Sequence, residues 1–432
     1  MRKRSARWVS VLLVFALVAL GSVSQLGGQV QAAELKGKIV VWAWSTAAAA
    51  LKSIIPEFNK EYPGIKVEVQ ELPWEDVHKK LLTVLAAGTG APDVVAIEGS
   101  LAKQYAGQGL MDLTAKLQPY LDKVNKCKLG EAEKDGKIYA VPWDTGPTVM
   151  YYRTDIFKKE GITKLPDTWD EFRALGKKLT HGRQYMISID PGVAGDGATF
   201  TYVRPLLNQL GVDYFDKNGD VTLNTPEMKE VLQLLYDMTH KDKIALTDLE
   251  YRSPAWYAAM KNGMFATVIG ASWMGGIIKS QAPEMAGKWG AFPLPAWEKG
   301  GTKVANMGGS VISIPAQSKN KELAWEFVKF ALLTDEGQLA MYKTYDIFPS
   351  LETVYSDPYF DQADPYFSNQ KMRRLFATYA PKINPYYYTK YYGEVDDIVQ
   401  SVVYQILTGK KAMDAGLQEL QAKAEKVRER YK

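Results

Sequence analysis

Short apolar stretches alternate with longer amphipathic stretches in the first part of the chain. Residues 38–42 and 94–97 are almost continuously apolar, and residues 65–69 alternate apolar and polar positions, so all three are predicted strands. Between them, residues 47–59 and 75–85 carry apolar side chains at helical spacing. Strand, helix, strand, helix, strand at this spacing predicts βαβ units and a parallel sheet.

The same kind of patterning continues beyond Thr148 and predicts a second α/β region. Thr168, followed by Glu171 three residues later, is typical of a capping box at the start of a helix. Further strands are predicted over 149–152, 267–270 and 311–314, and further helices over 226–238, 255–261, 321–333, 395–408 and 412–430. In the last helix, a stripe with three- and four-residue spacing predicts a packed core face, formed by Leu417, Leu420, Ala424 and Val427.

Residues 1–32 are typical of a signal peptide. Four basic residues precede an uncharged run from Trp8 to Leu20, which is shorter than the roughly 20 residues of a spanning helix, and Val30-Gln31-Ala32 predicts cleavage after Ala32. The single cysteine, Cys127, excludes an internal disulfide and lies far from the signal, so no lipid anchor is expected. We therefore expect an exported protein, and a periplasm would retain it without an anchor.

Charge and aromatic content narrow the classes of partner. Without the signal, the chain has 53 − 4 = 49 Lys and Arg residues against 49 Asp and Glu residues, a net charge of zero. Nucleic-acid binding needs a basic excess and is therefore not expected. The 11 Trp, 25 Tyr and 14 Phe residues of an exported protein instead suggest a sugar ligand, because aromatic rings cover the C–H faces of sugars. Most of these rings are nevertheless expected to be core.

Ordered segments along the chain show a resemblance to a known family. The segments are 39–42 (IVVW), 58–67 (FNKEYPGIKV), 87–95 (AGTGAPDVV), 136–143 (GKIYAVPW), 151–157 (YYRTDIF), 166–172 (PDTWDEF), and 308–310 (GGS) ahead of 319–327 (KNKELAWEF). Together they resemble the extracellular solute-binding proteins of family 1, the maltose-binding-like receptors of ABC sugar importers.

The resemblance implies a two-lobe periplasmic-binding-protein fold of type II-like organisation, in which each lobe is a mostly parallel sheet flanked by helices. It implies that a sugar binds in the cleft between the lobes and is delivered to an ABC permease. A monomer without a cofactor is expected. The implied divisions are lobe 1 at 33–145 plus 310–335, lobe 2 at 148–305 plus 336–432, and hinges near 145–148, 306–310 and 334–337.

Five aromatic residues are candidates for contact with the sugar. Trp273 follows a predicted strand within a glycine-bearing segment, and the resemblance places it at the position of a sugar-stacking tryptophan. The other candidates occupy strand ends, a helix start and a turn: Trp44, Trp256, Tyr345 and Phe348. For each, a place in the core is the alternative.

Polar contacts with sugar hydroxyls are expected from three carboxylates and a glycine pair. Glu98 ends a strand, Asp144 lies at the implied first hinge, and Asp190 precedes Pro191-Gly192. Surface or turn-capping roles are the alternatives. Gly308 and Gly309 could either present backbone N–H groups to the sugar or supply conformational freedom to the hinge.

No signature of an enzyme or a metal site is present in the sequence. The three histidines are scattered, and the segment Gly270-Ala271-Ser272-Trp273-Met274 lacks the second glycine of a nucleophile elbow. Residues 216–227 place oxygen-bearing side chains at calcium-loop spacing, but Val221 occupies the position that needs glycine, and a hairpin turn explains them equally well. A secreted glycoside hydrolase remains the alternative function, because its two carboxylates cannot be recognised from sequence.

Overall fold

Two five-stranded sheets organise the residues that the structure describes. The computed structural model describes residues 35–192 and 197–431, so the predicted signal peptide at 1–32 lies outside the described residues. The strands are β1 Gly37–Ala43, β2 Ile65–Glu71, β3 Val94–Glu98, β4 Glu133–Lys134, β5 Lys137–Ile138, β6 Val141–Pro142, β7 Thr148–Arg153, β8 Tyr185–Ser188, β9 Ala245–Leu246, β10 Phe265–Ala271, β11 Trp289–Pro293 and β12 Ser310–Ser313.

Each sheet is mixed rather than mostly parallel. The order in the first sheet is β2-β1-β3-β12-β6, and in the second it is β11-β7-β10-β8-β9. The predicted βαβ units are present, since β1 pairs in parallel with both β2 and β3. However, β12 is antiparallel to β3, and β7 is antiparallel to β10. Both strands enter from the other sheet without a helical crossover. Each begins opposite the end of its neighbour and therefore runs antiparallel to it.

Helices cover the sheets and largely follow the predicted stretches. The main helices are α1 Ser45–Ser53, α2 Ile55–Glu61, α3 Trp74–Ala87, α4 Gly99–Tyr105, α5 Thr114–Leu117, α6 Lys126–Leu129, α7 Thr154–Lys159, α8 Trp169–Leu179, α9 Arg204–Gln209, α10 Pro226–Tyr236, α11 Pro254–Lys261, α12 Ser272–Gln281, α13 Lys321–Leu333, α14 Asp335–Tyr345, α15 Met372–Tyr379, α16 Tyr392–Leu407 and α17 Met413–Arg430. Within the described residues, none of the helices combines the length and the apolar character needed to cross a bilayer.

Local sequence chemistry explains where several helices begin and end. The predicted helix 47–59 is two helices, because Pro56 has no N–H to donate within a continuous helix and instead occupies the first turn of α2. Thr168 caps α8 by accepting from the N–H of Glu171 at 3.2 Å, while the Glu171 carboxylate accepts from the N–H of Asp167. The predicted core stripe of α17 is confirmed, since all four of its residues are buried.

The chain passes from one sheet to the other twice between β6 and β12. The sheet changes between β6 and β7 and again between β11 and β12, and we call residues 143–147 and 294–309 the first and second crossovers. The last change of lobe was expected at 334–337. In the structure, α14 packs against α1, and Thr145 donates its N–H to the Phe348 carbonyl, so contacts with α1 and the first crossover extend beyond 334–337.

Candidate ligand-binding site

The two crossovers lie side by side where the lobes meet. Pro147 and Asn306 form an antiparallel bridge, and the Met307 N–H donates to the Gly146 carbonyl at 2.9 Å. The Asn306 side chain adds a second link, because its Oδ1 accepts from the Gly146 N–H at 2.7 Å. This pairing fixes the position of the glycines that follow Asn306.

Trp273 and Phe200 stand beside the second crossover, and we call these two rings the aromatic side. Trp273 lies in the first turn of α12, directly after β10, and its Nε1 donates to the Met307 carbonyl at 3.3 Å. The Phe200 and Trp273 ring centroids are 6.5 Å apart at an interplanar angle of 29°. Gly308 has φ = +77°, and a Cβ added there would lie 3.9 Å from each ring. The half-buried indole is therefore held by its edge beside the crossover.

The next residue along the chain faces a different environment, which we call the charged side. Gly309 has φ = +103°, and a Cβ there would lie 2.6 Å from the Asp144 carbonyl oxygen and 2.8 Å from Lys128 Nζ. Lys128 forms an ion pair of 2.5 Å with Glu131, and neither side chain has solvent exposure. The glycine is thus required both for its left-handed backbone and for the close approach of Lys128.

Two further carboxyl groups complete the charged side. The Asp144 carboxylate accepts from the Ser310 N–H at 2.7 Å, and Glu98 ends β3 opposite Ser310 in the sheet register. Burial raises the pKa of Glu98 to about 8 and that of Glu131 to about 7, in both cases against the opposing effect of Lys128. Three carboxyl groups therefore surround one buried ammonium, and some of them keep a proton near neutral pH.

Lobe 2 contributes a buried arginine enclosed by tyrosine rings. Arg204 is 7% exposed, and its Nη2 donates to the Tyr388 hydroxyl at 2.6 Å. The guanidinium carbon lies 4.8 Å from the ring centroid of Tyr386, and that ring's hydroxyl donates to the Asn306 carbonyl. The arginine is enclosed on further sides by the rings of Tyr214, Tyr388 and Tyr392. This cluster ties the last part of the chain to the second crossover.

Trp44 lies next to His78, which connects it to Glu98 in lobe 1. The half-buried Trp44 ring lies 5.7 Å from the His78 ring, whose Nε2 accepts from the Glu98 N–H at 3.1 Å. Burial lowers the pKa of His78, so the imidazole is neutral and can accept this bond. Trp44 and Glu98, both predicted site residues, are therefore linked through one histidine.

The Asp190 carboxylate bonds to backbone N–H groups in the loop after β8 and near Tyr251. Its carboxylate accepts from the N–H groups of Gly192 at 2.7 Å and Tyr251 at 2.8 Å. The side chain is 9% exposed. Asp190 thereby joins the end of β8 to the segment that carries Arg252, whose guanidinium carbon lies 5.7 Å from the Trp273 ring centroid.

The structure places the rings of three aromatic candidates in or against the core. Trp256 and Phe348 are each 1% exposed and pack into the core, against Phe265 and Tyr342 respectively, so neither offers a face to a ligand. Periodicity could not show this, because their ring partners lie in other segments. Tyr345 is half-buried at the end of α14 and packs against the same core cluster.

The calcium-like loop at 216–227 forms a turn. The Asp216 carboxylate accepts from the N–H groups of Asn218 at 2.8 Å and Asp220 at 2.9 Å, and Phe215 bridges to Val221. This is the hairpin arrangement weighed as the alternative. Across the described ranges, no three His, Cys, Asp or Glu side chains come together as a possible metal site.

Sequence reasoning missed the residues that form the charged side and the arginine cluster. Lys128 and Glu131 carry the i, i+3 spacing of an exposed helical ion pair, and nothing local shows that both are buried. The clearest overlooked signal is the tyrosine run at 386–388, because closely spaced tyrosines next to Pro385 are unusual for a solvent-exposed loop. Its partner Arg204 lies in a distant segment.

Comparison with known proteins agrees with this architecture. Residues 42–338 match the family described as bacterial extracellular solute-binding protein. The chain is 31% identical over 395 residues to the arabinooligosaccharide-binding protein of Bacillus subtilis (strain 168), covering 86% of this chain and 88% of that protein. It is 29% identical to the arabinooligosaccharide-binding protein of Halalkalibacterium halodurans, covering 76% and 75% of the two chains.

A solved structure supports the same assignment. The ABC transporter associated binding protein from B. animalis subsp. lactis Bl-04, in complex with beta-1,6-galactobiose, matches with a TM-score of 0.73 and 26% identity. The match covers 92% of this chain and 98% of that chain. The two-lobe periplasmic-binding-protein fold is thus confirmed, and the chain belongs to the bacterial extracellular solute-binding proteins of family 1.

Proposed function

We propose that this protein is the carbohydrate receptor of an ABC importer and binds an oligosaccharide between its lobes. The observation that carries the proposal is the placement of Trp273, half-buried beside the crossovers and next to Phe200. A flat ring at the junction of two lobes suits the C–H face of a sugar. Relatives described as oligosaccharide-binding proteins support the same ligand class.

The remaining predicted site residues take different roles in this proposal. Trp44 extends the aromatic surface on lobe 1, and the carboxyl groups of Glu98 and Asp144 offer hydrogen bonds to sugar hydroxyls. Gly308 leaves room beside the Trp273 ring. Asp190 positions the loop after β8 and does not contact the sugar itself, since its carboxylate already accepts two backbone N–H groups.

Ligand capture proceeds by hinge closure of the two lobes. We place the hinges near 145–148 and 306–310, where paired extended segments and glycines with positive φ can absorb backbone rotation. The third hinge follows residue 348, because the preceding segment is bonded to the first crossover. Lobe 1 then comprises 33–145 plus the chain from 310 to this hinge.

We propose a receptor without catalytic activity, exported and monomeric, that delivers its sugar intact to the permease. Relatives described as binding proteins support this reading over a secreted glycoside hydrolase. A retaining or inverting hydrolase needs a pair of carboxyl groups about 5–10 Å apart across the bond. Incubation with neutral oligosaccharides separates the two functions: ligand-dependent stabilisation without release of reducing ends is expected, and released reducing ends would identify a hydrolase.

Replacement of Trp273 tests the site itself. Titration calorimetry with a panel of neutral oligosaccharides should identify a ligand, and Trp273→Ala should weaken its binding at least tenfold, about 1.4 kcal/mol. The matched control is Trp297→Ala, because Trp297 is also a half-buried tryptophan of lobe 2 but packs beside Trp169. Equal affinities of the wild type and Trp273→Ala would show that Trp273 does not contribute to ligand binding.

A further inference from the structure

A crevice between the lobes lies next to α6, the short helix that carries Lys128, and Trp273 is not among its lining residues. Its volume is about 570 Å³, within the roughly 300–1,000 Å³ typical of small-molecule sites. Leu129 and Gly130, which follow the buried Lys128, line one wall. Tyr386, bonded to the second crossover, lines another. Both lobes therefore contribute to the crevice.

The lining is strongly basic. Five lysines face two carboxylates, and three of the lysines come from lobe 1 and two from lobe 2: Lys103, Lys126, Lys134, Lys217 and Lys390. Within the part of the chain that the structure describes, none of the five ammonium groups has a carboxylate oxygen at ion-pair distance. One of the two carboxylates, Asp216, is already engaged by two backbone N–H groups. The crevice lining thus has three more ammonium groups than carboxylates.

The ammonium group of Lys103 is partly shielded from solvent. It is half-buried, and its Nζ has only a long contact, 3.4 Å, to the Gly130 carbonyl. Burial lowers the pKa of Lys103, although Glu133 and Asp135 act in the opposite direction. A desolvated ammonium without a paired anion gains from a bound carboxylate more than an exposed one does.

Neutral polar groups between the lysines indicate that the ligand of the crevice is larger than a small inorganic ion. Gln108 and Asn218 offer amide donors and acceptors, and Tyr387 is 36% exposed beside them. Amides and hydroxyls bond sugar hydroxyls, and an exposed ring can cover a sugar face. We propose that this crevice is a second ligand site, which binds an acidic saccharide through the pairing of its uronate carboxylates with the lysines.

Because both lobes line the crevice, its occupant contacts both of them. Any ligand that changes the relative orientation of the lobes is then linked thermodynamically to this site, and the linkage is reciprocal. The proposal stands independently of the neutral oligosaccharide site, since the crevice is lined by different residues.

Titration calorimetry with trigalacturonate tests the second site. The wild type should bind trigalacturonate with an affinity that falls as salt is added, and Lys103→Gln/Lys134→Gln should weaken binding at least about tenfold. The control, Lys66→Gln/Lys319→Gln, removes the same charge from exposed lysines of the first lobe outside the crevice and should bind as the wild type does. Trp273→Ala should also retain trigalacturonate binding.

Four results would overturn the proposal. These are no binding by the wild type, equal weakening in the control variant, and loss of binding in Trp273→Ala while the crevice variant still binds. The fourth is competition by inorganic phosphate at the same concentration, because that would make the crevice a general anion site. If no neutral oligosaccharide binds, the four trigalacturonate measurements can still be interpreted. The two proposed sites are therefore tested separately.

Discussion

Gly308 and Gly309 are neighbours in the chain, yet they face opposite kinds of surroundings. Gly308 faces two half-open aromatic rings, with its nearest neighbours 3.9 Å from an added Cβ. Gly309 faces a closed ionic cluster, with neighbours under 3 Å from an added Cβ. One crossover therefore has two different surroundings: there is open space beside Gly308, whereas the Asp144 backbone and Lys128 pack closely against Gly309.

The largest expected effect comes from removing the cation of the charged side. Lys128→Met leaves Glu131 buried without its partner, and breaking a buried pair in this way costs about 3–5 kcal/mol. Urea unfolding should show this loss. Lys60→Met is the control, since Lys60 forms an i, i+3 ion pair with Glu57 on the exposed face of α2 and should change stability far less. A loss no greater than the control's would mean that the cluster is solvated.

Substitution of each glycine sharpens the comparison directly. Gly309→Ala combines a positive φ with contact against the Asp144 carbonyl, so it should lower the free energy of unfolding by about 2–3 kcal/mol. Gly308→Ala meets no close neighbour and should cost only about 1 kcal/mol from its backbone conformation. Equal losses in denaturant melts would show that the two surroundings do not differ.

A smaller effect is expected in the pH dependence of stability. The pKa of Glu98, about 8, lies above its ordinary value of 4.5, so the folded state binds more protons than the unfolded state between these pH values. The contribution of Glu98 to stability therefore falls as pH rises from about 5 to 8 and levels off above that range. Glu98→Gln removes this contribution, so its unfolding free energy should decline less steeply with pH.

Unfolding curves at several pH values check this expectation. The control is Glu57→Gln, which makes the same substitution at a partly exposed carboxylate of α2. An unaltered slope in Glu98→Gln would mean that Glu98 is already ionised in the folded protein at neutral pH.

Regular elements were predicted well because their signals are local. The run at 38–42 gave β1, and the stripe of α17 is buried as expected. The split of the helix at 47–59 was missed although Pro56 was visible in the sequence. The bond between Thr145 and Phe348 could not be predicted from a local pattern, since it joins segments about 200 residues apart.

The structure brings some of the predicted site residues together. Trp273, Glu98, Asp144 and the glycine pair do gather around the crossovers, because strand ends of a sheet meet at one edge. Trp256 and Phe348 resembled Trp273 in residue type and in position near element ends, but they are core rings. Composition does not distinguish an aromatic ring that binds a ligand from one that packs a core.

The sequence by itself determined the two α/β regions, the order of their elements and the family, since each depends on spacing along the chain. Only the tertiary structure decided that Lys128 and Glu131 are buried together, that Arg204 lies among tyrosines, and that five lysines share a crevice. The physical reason is that burial and pairing of charges depend on segments far apart in the chain, and local periodicity carries no information about which of them meet.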